Sequence, residues 1–295
     1  MDYFFYLLIN GILLGGVYAL VALGMVLIYK SSGILNFAQG YFISLAAYIC
    51  WSFLVKFGIP LFWSFFLTGV ILCLLSLLIE RFTLRPLIGQ SVLSTIVMTI
   101  ALGLVLEGGE VLLWGGEVKG FPPFIPREAL TFASGSLSQG YIWAFGISTI
   151  IFIMLVLLFQ FTRIGLAMRA VADDQEAALS QGVSVKNIFA YSWMFAAIVG
   201  GTGGILLGSI YAINDGLATT GVAKALPVLL LGGMESVLGA FIGGIIIGVV
   251  EMLGAGYIDP LVGGGFKDIV PFIIMLIILL IRPYGLFGQV KIERV

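Results

Sequence analysis

Several stretches of about twenty residues in this chain carry almost no charge. Leu61 to Ile79 and Ile269 to Ile281 contain no acidic or basic residue at all. A helix needs about 20 apolar residues, each adding roughly 1.5 Å, to cross the roughly 30 Å hydrocarbon core of a bilayer. Charged residues make up 10% of the 295 residues, whereas soluble domains carry roughly 25%. The sequence therefore predicts a polytopic membrane protein.

The apolar stretches predict an all-α membrane helix bundle with eight clear transmembrane helices and a short or broken ninth segment. Residues 1–295 are expected to form a single transmembrane domain, because the polar connections are too short to fold by themselves. The ninth segment, 223–233, crosses only if it is extended or lies in a thinned, protein-lined region. The eight predicted spans are 5–29, 34–56, 61–80, 92–113, 141–161, 187–211, 236–255 and 268–282.

The distribution of basic residues predicts the orientation, because Lys and Arg accumulate on the cytoplasmic side of a membrane. The bias favours an external N-terminus, with loops 80–91 and 162–186 in the cytoplasm. The basic C-terminus is then also cytoplasmic only if 223–233 crosses. The residues counted as cytoplasmic are Lys30, Arg81, Arg85, Arg163, Arg169, Lys186, Arg282, Lys291 and Arg294, and those counted as external are Lys56, Lys119, Arg127, Lys224 and Lys267.

The residue types also exclude several functions. The chain has no histidine, which removes the commonest general base and metal ligand, and its cysteines, Cys50 and Cys73, lie inside apolar stretches. These features argue against a hydrolytic or metal-dependent membrane enzyme, and no metal or cofactor is expected in this chain. The net charge of −1 excludes a nucleic-acid binder that works by electrostatic attraction.

Glycines recur at helical spacing in two of the predicted spans. Gly200, Gly204 and Gly208 would share one face of a helix, as would Gly239 and Gly243. Small residues spaced in this way let two membrane helices approach closely, so packing is favoured over contact with a solute. Helices that break near Gly232, Gly233 and Gly239 would nevertheless offer part of a solute pathway.

The most polar stretch of the chain is the loop from Arg163 to Lys186. Asp173 is predicted to cap a short helix, with Glu176 three residues later in a capping-box spacing, and Gly182 is predicted to end it. Ala177 and Ala178 would give this helix a surface without long side chains, which suits insertion into a groove on another protein. From the residues alone, an ordinary solvated connector explains the loop equally well.

The order Glu176-Ala177-Ala178 with Gly182 after it resembles the EAA-type cytoplasmic loop of ABC-importer permeases. Five stretches, in this order, resemble the branched-chain amino-acid (Liv-type) permease family, and together they extend over essentially the whole chain. They are NGILLGGVYALVALGMVLIY at 10–29, GILNFAQG at 33–40, GLAMRAVADDQEAALSQGVSV at 165–185, LLLGGMESVLGAFIGGIIIG at 229–248 and RPYGLFG at 282–288.

This resemblance implies a multi-pass subunit of the cytoplasmic (inner) membrane that imports branched-chain amino acids. Its implied partners are a second, related permease subunit, two cytoplasmic ATPase subunits that bind ATP and Mg, and an external solute-binding protein. The chain itself has no GxxxxGK[ST] phosphate loop. By the family pattern, the residues that couple to the ATPase are Arg163, Gly165, Arg169, Asp173, Glu176, Ala177, Ala178 and Gly182.

Polar residues inside the spans are the remaining candidates for the pathway. Asn36 and Gln39 form a polar pair at the start of the second span, where many relatives carry His in place of Gln39. The pair either interrupts the helix or makes a polar contact between helices, and the contact is favoured. Glu107 and Glu110 are expected to form a wet rim at the outer end of the fourth span, because a carboxylate near the interface reaches water.

Three other functions remain open. Related permeases for urea or short amides would look much the same. An ion-coupled secondary transporter or a channel would need buried charge near the middle of the membrane, and this chain has few central carboxylates. A membrane scaffold that transports nothing would explain the glycines but gives no reason for a capped cytoplasmic helix.

Overall fold

The computed structural model describes residues 2–87, 90–122, 129–132 and 135–288. These residues form a bundle of α-helices with one short β-hairpin. The elements, in chain order, are α1 (Asp2–Ser32), α2 (Gln39–Trp51), α3 (Leu61–Ile79), α4 (Val92–Trp114), β1 (Ala129–Phe132), β2 (Gly135–Ser138), α5 (Gln139–Phe161), α6 (Arg163–Asp173), α7 (Gln175–Ser180), α8 (Val185–Tyr211), α9 (Leu217–Gly232), α10 (Val237–Leu253), α11 (Asp259–Val262) and α12 (Phe266–Ile281).

Among the described residues, six helices are long and apolar enough to cross a membrane: α1, α4, α5, α8, and α3 and α10 with their extensions to Leu87 and Val262. The structure is therefore a polytopic helical bundle. It does not confirm eight full-length spans, because α2 has 13 residues and α12 has 16. The predicted span 34–56 begins as a helix only at Gln39, and a π-helical turn extends it from Ser52 to Lys56.

The short apolar segment at 223–233 is the second half of α9. This helix begins at Leu217, earlier than predicted, and continues through Pro227 to Gly232. Neighbouring helices in a membrane bundle can satisfy the backbone groups that a proline leaves unpaired. The segment is therefore helical with a proline inside it.

The prediction of an all-α fold was wrong in one place. β1 and β2 pair as an antiparallel hairpin, with Ala129 opposite Ser138 and Phe132 opposite Gly135. The hairpin lies in the connection between α4 and α5. Apolar stretches do not predict it, because a two-stranded hairpin needs no long apolar run.

Contacts between glycines and their neighbours give the relative directions of the helices. In the contact of α1 with α10, Gly11 lies against Val249 and Gly15 against Gly244, so these helices are antiparallel. α1 and α5 are parallel, because Gly16 lies against Phe145 and the Lys30 ammonium lies over the Phe159 ring.

The second half of the chain follows the same alternation. α2 and α8 are parallel, because Gln39 lies against Gly200 and Ile43 against Gly204. α9 and α10 form an antiparallel hairpin. α12 and the residues after it contact α9 at points from Asp268 to Leu286. These contacts follow the same direction along both helices, so α9 and α12 are parallel. Consecutive long helices therefore run in opposite directions where these contacts define them.

The loops fall into two groups, one at each end of the bundle. At one end, a cavity is lined by α6, the C-terminal end of α1, the turn before α10 and Phe287. A second cavity at this end is lined by α7 together with Leu84, Leu87 and Gln90. The opposite end holds a bridge between Lys119 and Ile213. The described loops that the charge bias assigns to the cytoplasm thus lie at one end. Arg127, Lys291 and Arg294 lie outside the described residues.

Burial separates the central helices from the peripheral ones. In the most apolar window of α1, 89% of the residues are buried, against 22% in α4. α2 is also buried along most of its length, whereas α3, α4 and α5 expose apolar side chains. α1 and α2 therefore form the centre, and the exposed apolar faces suit contact with lipid.

Candidate functional site

The coupling segment, residues 162–186, forms two short helices and the beginning of α8. The Thr162 hydroxyl caps α6 by accepting from the Gly165 amide at 3.0 Å. The sequence placed the cap of the next helix at Asp173, which is wrong. Asp174 is the cap, and its carboxylate accepts from the Glu176 and Ala177 amides at 2.9 Å each, whereas Asp173 is the last residue of α6.

The end of α7 has the geometry that the sequence predicts. Gly182 has φ +82°, and its amide donates to the Leu179 carbonyl at 3.0 Å. The Val183 amide donates to the Ala178 carbonyl, also at 3.0 Å. This pair of bonds is a Schellman motif, and its left-handed residue favours glycine. α7 is therefore a short helix closed at both ends.

The surface of α7 differs from the low alanine surface that the sequence predicts. Ala178 is 4% exposed and faces the bundle, whereas Leu179 is 56% exposed. Glu176 and Ala177 are also exposed. The outer face thus presents one carboxylate, one small residue and one large apolar side chain.

Three other candidates of the coupling segment lie in α6. A Cβ at Gly165 would overlap the backbone of Leu158, so the glycine lets α6 pack tightly against the end of α5. Arg163 is exposed. Arg169 is half-buried and lines a polar cavity of about 410 Å³ together with Lys30 and Asp173.

Asn36 and Gln39 lie where the chain re-enters the bundle between α1 and α2, and both are buried. The Gln39 amide donates to the Ala196 carbonyl of α8 at 3.0 Å. The Asn36 Oδ1 atom accepts from the Ala38 amide at 3.0 Å, and its Nδ2 atom donates to the Gln39 Oε1 atom at 3.4 Å. The pair therefore both interrupts the helix and makes a contact between helices.

Glycines make the space that this polar pair occupies. A Cβ at Gly24 or at Gly200 would overlap the Gln39 side chain. One turn further, a Cβ at Gly204 would overlap the Ile43 carbonyl. The glycines of α8 therefore bring α2 into direct backbone contact, which is the packing role of small residues in membrane helices.

The glycines near the α9–α10 turn also lie in close backbone contacts. Gly232 and Gly239 face one another, and a Cβ on either would overlap the carbonyl group of the other. A Cβ at Gly243 would lie 2.8 Å from the Val228 carbonyl oxygen. Gly233, with φ +102°, ends α9.

Sequence reasoning missed a buried ionic network at the other end of the bundle. The Lys224 ammonium, counted above as external, lies 2.9 Å from Glu251 Oε1 and 2.9 Å from Asp268 Oδ1. Tyr18 donates to Glu251 Oε1 at 3.2 Å, and its hydroxyl lies 2.9 Å from that of Tyr211. An ionisable residue within an apolar segment, here Lys224 in α9 and Glu251 in α10, was the available signal.

The glutamates of α4 were expected to form a wet rim, but the structure buries one of them. Glu110 is 6% exposed and accepts from the Ser44 hydroxyl at 2.7 Å. Glu107 is half-buried and accepts from the Tyr41 hydroxyl at 2.9 Å. The two carboxylates therefore connect α4 to α2, because α2 supplies hydroxyl donors one turn apart.

Comparisons with known proteins identify the family of the chain. The chain is 28% identical over 308 residues to the high-affinity branched-chain amino acid transport system permease protein LivH of Salmonella typhimurium, covering 99% of this chain and 98% of that protein. It is 30% identical over 302 residues to the corresponding protein BraD of Pseudomonas aeruginosa, with coverage of 98% and 97%. A probable LivH of Methanocaldococcus jannaschii is 30% identical over 292 residues, covering 95% and 91%.

A solved structure, PsaBC from Streptococcus pneumoniae in complex with Fab, aligns over 96% of this chain and 94% of that one, with 15% identity and a TM-score of 0.48. The family described as branched-chain amino acid transport system / permease component matches residues 7–279. This match extends from α1 to α12. The chain therefore belongs to the branched-chain amino acid transport system permease family, whose members are transport subunits and not enzymes.

Proposed function

We propose that this chain is the membrane permease subunit of an ATP-driven ABC importer and that α7 couples it to an ATPase. The observation that carries the proposal is α7 itself, a helix capped by Asp174, closed by Gly182 and exposed at Glu176 and Leu179. A helix whose terminal backbone groups are hydrogen-bonded stays helical when a partner subunit moves against it. Membership of the permease family supports the same role.

The coupling segment is attached to the bundle at several points, which lets it transmit motion. Ala178 is buried on the inner side of α7, and Gly165 fixes α6 against α5. α8 begins at Val185, after the turn at 181–184 that follows α7, and packs along α1 and α2. A push on α7 would therefore reach the central helices through α8, and closure of the ATPases would alternate access by moving packed helices.

The proposed importer contains a second, related permease subunit, two cytoplasmic ATPase subunits and an external solute-binding protein. ATP and Mg bind to the ATPases. The complex lies in the cytoplasmic (inner) membrane, with the coupling segment on the cytoplasmic side. The proposed solute is a branched-chain or other small apolar amino acid, and permeation of urea or short amides is the alternative within the same family.

Nine crossings are proposed for this chain, with α2, α9 and α12 as the short ones. The alternating helix directions and the grouping of the loops at two ends support this number. The N-terminus would then be external and the described end of the chain, after α12, cytoplasmic.

One observation favours a different class, an ion-coupled secondary transporter. Lys224 and Glu251 form a buried ion pair, which is the type of feature that ion coupling requires. Asp268 also lies on the Lys224 ammonium, however, and it is largely exposed. A network fixed by three charges and reached by water at one edge serves to hold α9, α10 and α12 together.

Charge reversal at Glu176 tests the proposal. Glu176→Lys should reduce both solute uptake and recovery of the ATPase with the tagged chain by about tenfold or more. A tenfold reduction corresponds to the loss of about 1.4 kcal/mol of binding free energy at the interface. Glu117→Lys is the matched control, because Glu117 is also exposed but lies in the loop after α4. Normal uptake and normal ATPase recovery in Glu176→Lys, with the chain in the membrane, would refute the role of α7.

A further inference from the structure

The chain between α1 and α2 is not a surface loop. Gln39, the first residue of α2, lies beside Gly24 of α1, and α1 continues for eight more residues to Ser32. At 1.5 Å per residue, the non-helical stretch 33–38 therefore climbs roughly 12 Å into the bundle before α2 begins. At this depth Asn36 is fully buried.

Irregular backbone at membrane depth is stable only where it is buried in protein or lines a cavity that admits water. A cavity of about 170 Å³ lies directly against this stretch, with Ile34 and Asn36 in its wall. An engineered cavity of about 150 Å³ holds a molecule the size of benzene. The space beside the stretch therefore accepts one solute of similar size.

The inner end of the cavity offers hydrogen-bond donors. The Asn36 amide nitrogen carries two hydrogens, and its one acceptor among the described residues is the Gln39 side chain, at 3.4 Å. The indole N–H of Trp193, another buried wall residue, has no acceptor in the described part of the chain. Two neutral donors of this kind suit the oxygen atoms of a carboxylate or an amide.

The remaining walls combine apolar side chains with neutral polar ones such as Thr95 and Thr99, and none of the described residues that line the cavity is charged. Leu84, Phe189 and Ile28 supply the apolar surface. A solute with net charge would lie there without a counter-charge, which is costly. The chemistry therefore selects a small solute of zero net charge that has a short apolar side chain.

The mouth of the cavity lies at the coupling segment. Gln175, the first residue of α7, lines the opening with Gln90 and Val92, and all three are exposed, whereas the inner residues Thr95 and Thr99 are buried. A shift of α7 would change the width of this opening directly.

We propose that this cavity, named here the Asn36 cavity, is a release site that binds one small zwitterionic amino acid and opens toward the cytoplasm beside α7. This proposal rests on the proposed function, which sets the direction of solute movement from the bundle interior to the cytoplasm. The apolar side chain of the solute lies against the Leu84 and Phe189 walls, and its carboxylate meets the Asn36 and Trp193 donors. The coupling helix controls release because its first residue forms part of the mouth.

Protection of a cysteine inside the cavity tests the site. In the complete transporter, with Cys50 and Cys73 replaced by alanine, Thr95→Cys is labelled by a charged methanethiosulfonate in inverted membrane vesicles. L-Leucine at about ten times its dissociation constant should slow the labelling about tenfold, because only the empty cavity reacts. L-Lysine and L-glutamate should leave the rate unchanged.

Two further cysteine variants complete the experiment. Ser94→Cys, next along α4 and not part of the cavity wall, is the matched control and should react at the same rate with or without leucine. Val92→Cys places the thiol at the exposed mouth, where substitution is tolerated, and should show the same protection as Thr95→Cys. Any pattern other than protection by leucine alone at both cavity positions overturns the site. Leucine uptake by right-side-out vesicles is measured separately, so a failure of the proposed function is distinguished from a failure of the site.

Discussion

Lys224 shows how a single residue can join three helices. Its ammonium lies between Glu251 of α10 and Asp268 of α12, and the Lys224 side chain is 7% exposed. The second oxygen of Glu251 has no hydrogen-bond partner among the described residues. Loss of the lysine would therefore leave a buried carboxylate without its counter-charge, which is more costly than the absence of the whole pair.

Lys224→Met should lower the stability of the purified chain by about 3–5 kcal/mol. Lys224→Met with Glu251→Gln should recover part of this loss, since the uncompensated charge is gone. Thermal unfolding in a mild detergent measures both. An unfolding temperature of Lys224→Met equal to that of the wild type would show that the network does not hold the helices together.

Gly204 carries a second prediction at the scale of one residue. Gly204→Ala should destabilise the chain by about 1–3 kcal/mol, because the new methyl group meets the Ile43 carbonyl and not a movable side chain. Gly69→Ala is the control in α3, where a Cβ would meet open space. Gly69→Ala should raise the free energy of unfolding by up to about 1 kcal/mol, because alanine has the higher helix propensity. Equal stability of the two variants, measured by thermal unfolding, would mean that α2 and α8 are not in contact at this point.

Single residues also show where sequence reasoning fails. The spacing between Asp173 and Glu176 fits a capping box, yet the cap is Asp174 because α6 includes Asp173 as its last residue. Two adjacent aspartates cannot be distinguished by spacing when the end of the preceding helix is unknown. Gly182 was predictable because a left-handed helix end selects glycine strongly.

At the scale of elements, α7 depends on its cap for its shape. The Asp174 carboxylate accepts from two amides that would otherwise lack a partner at the start of the helix. Apolar stretches predicted the long helices, but they could not show that 34–38 is not helical or that α9 begins at Leu217. The hydrogen bonds of Asn36 with Ala38 and Gln39 interrupt the helix, and periodicity does not report such bonds.

Asp174→Ala should expose the amides of α7 to exchange about fivefold faster, since loss of a cap costs about 1 kcal/mol. Hydrogen exchange of the peptide 175–180 followed by mass spectrometry measures this. Asp173→Ala is the matched control and should leave the rate unchanged, because its carboxylate lies at the end of α6. Faster exchange only in Asp173→Ala would show that Asp173 is the cap, as the sequence suggested.

At the scale of the whole molecule, the loops divide between two ends as the charge bias predicts. Length alone recognises six spans, because α2, α9 and α12 are short. The direction of each helix comes from contacts such as that of Gln39 with Gly200. The sequence could not provide these contacts, since glycine spacing marks a packing face but not its partner.

The crossing of α9 can be tested with two cysteines in a chain that lacks Cys50 and Cys73. Asp215→Cys should react with a membrane-impermeant thiol reagent only from outside, and Glu235→Cys only from the cytoplasmic face, because α9 runs between them. Intact cells and inverted vesicles give the two sides. Labelling of both from one side would show that α9 re-enters without crossing.

Solute uptake by the purified assembly tests the proposed import function most directly. The tagged chain is extracted from its native membrane in a mild detergent, its bound proteins are identified, and the assembly is placed in vesicles with L-leucine and the external binding protein. We expect ATPase subunits and a second permease to purify with the chain, and uptake to stop when ATP is replaced by an analogue that cannot be hydrolysed. A chain that purifies alone and accumulates leucine under an ion gradient without ATP would contradict this expectation.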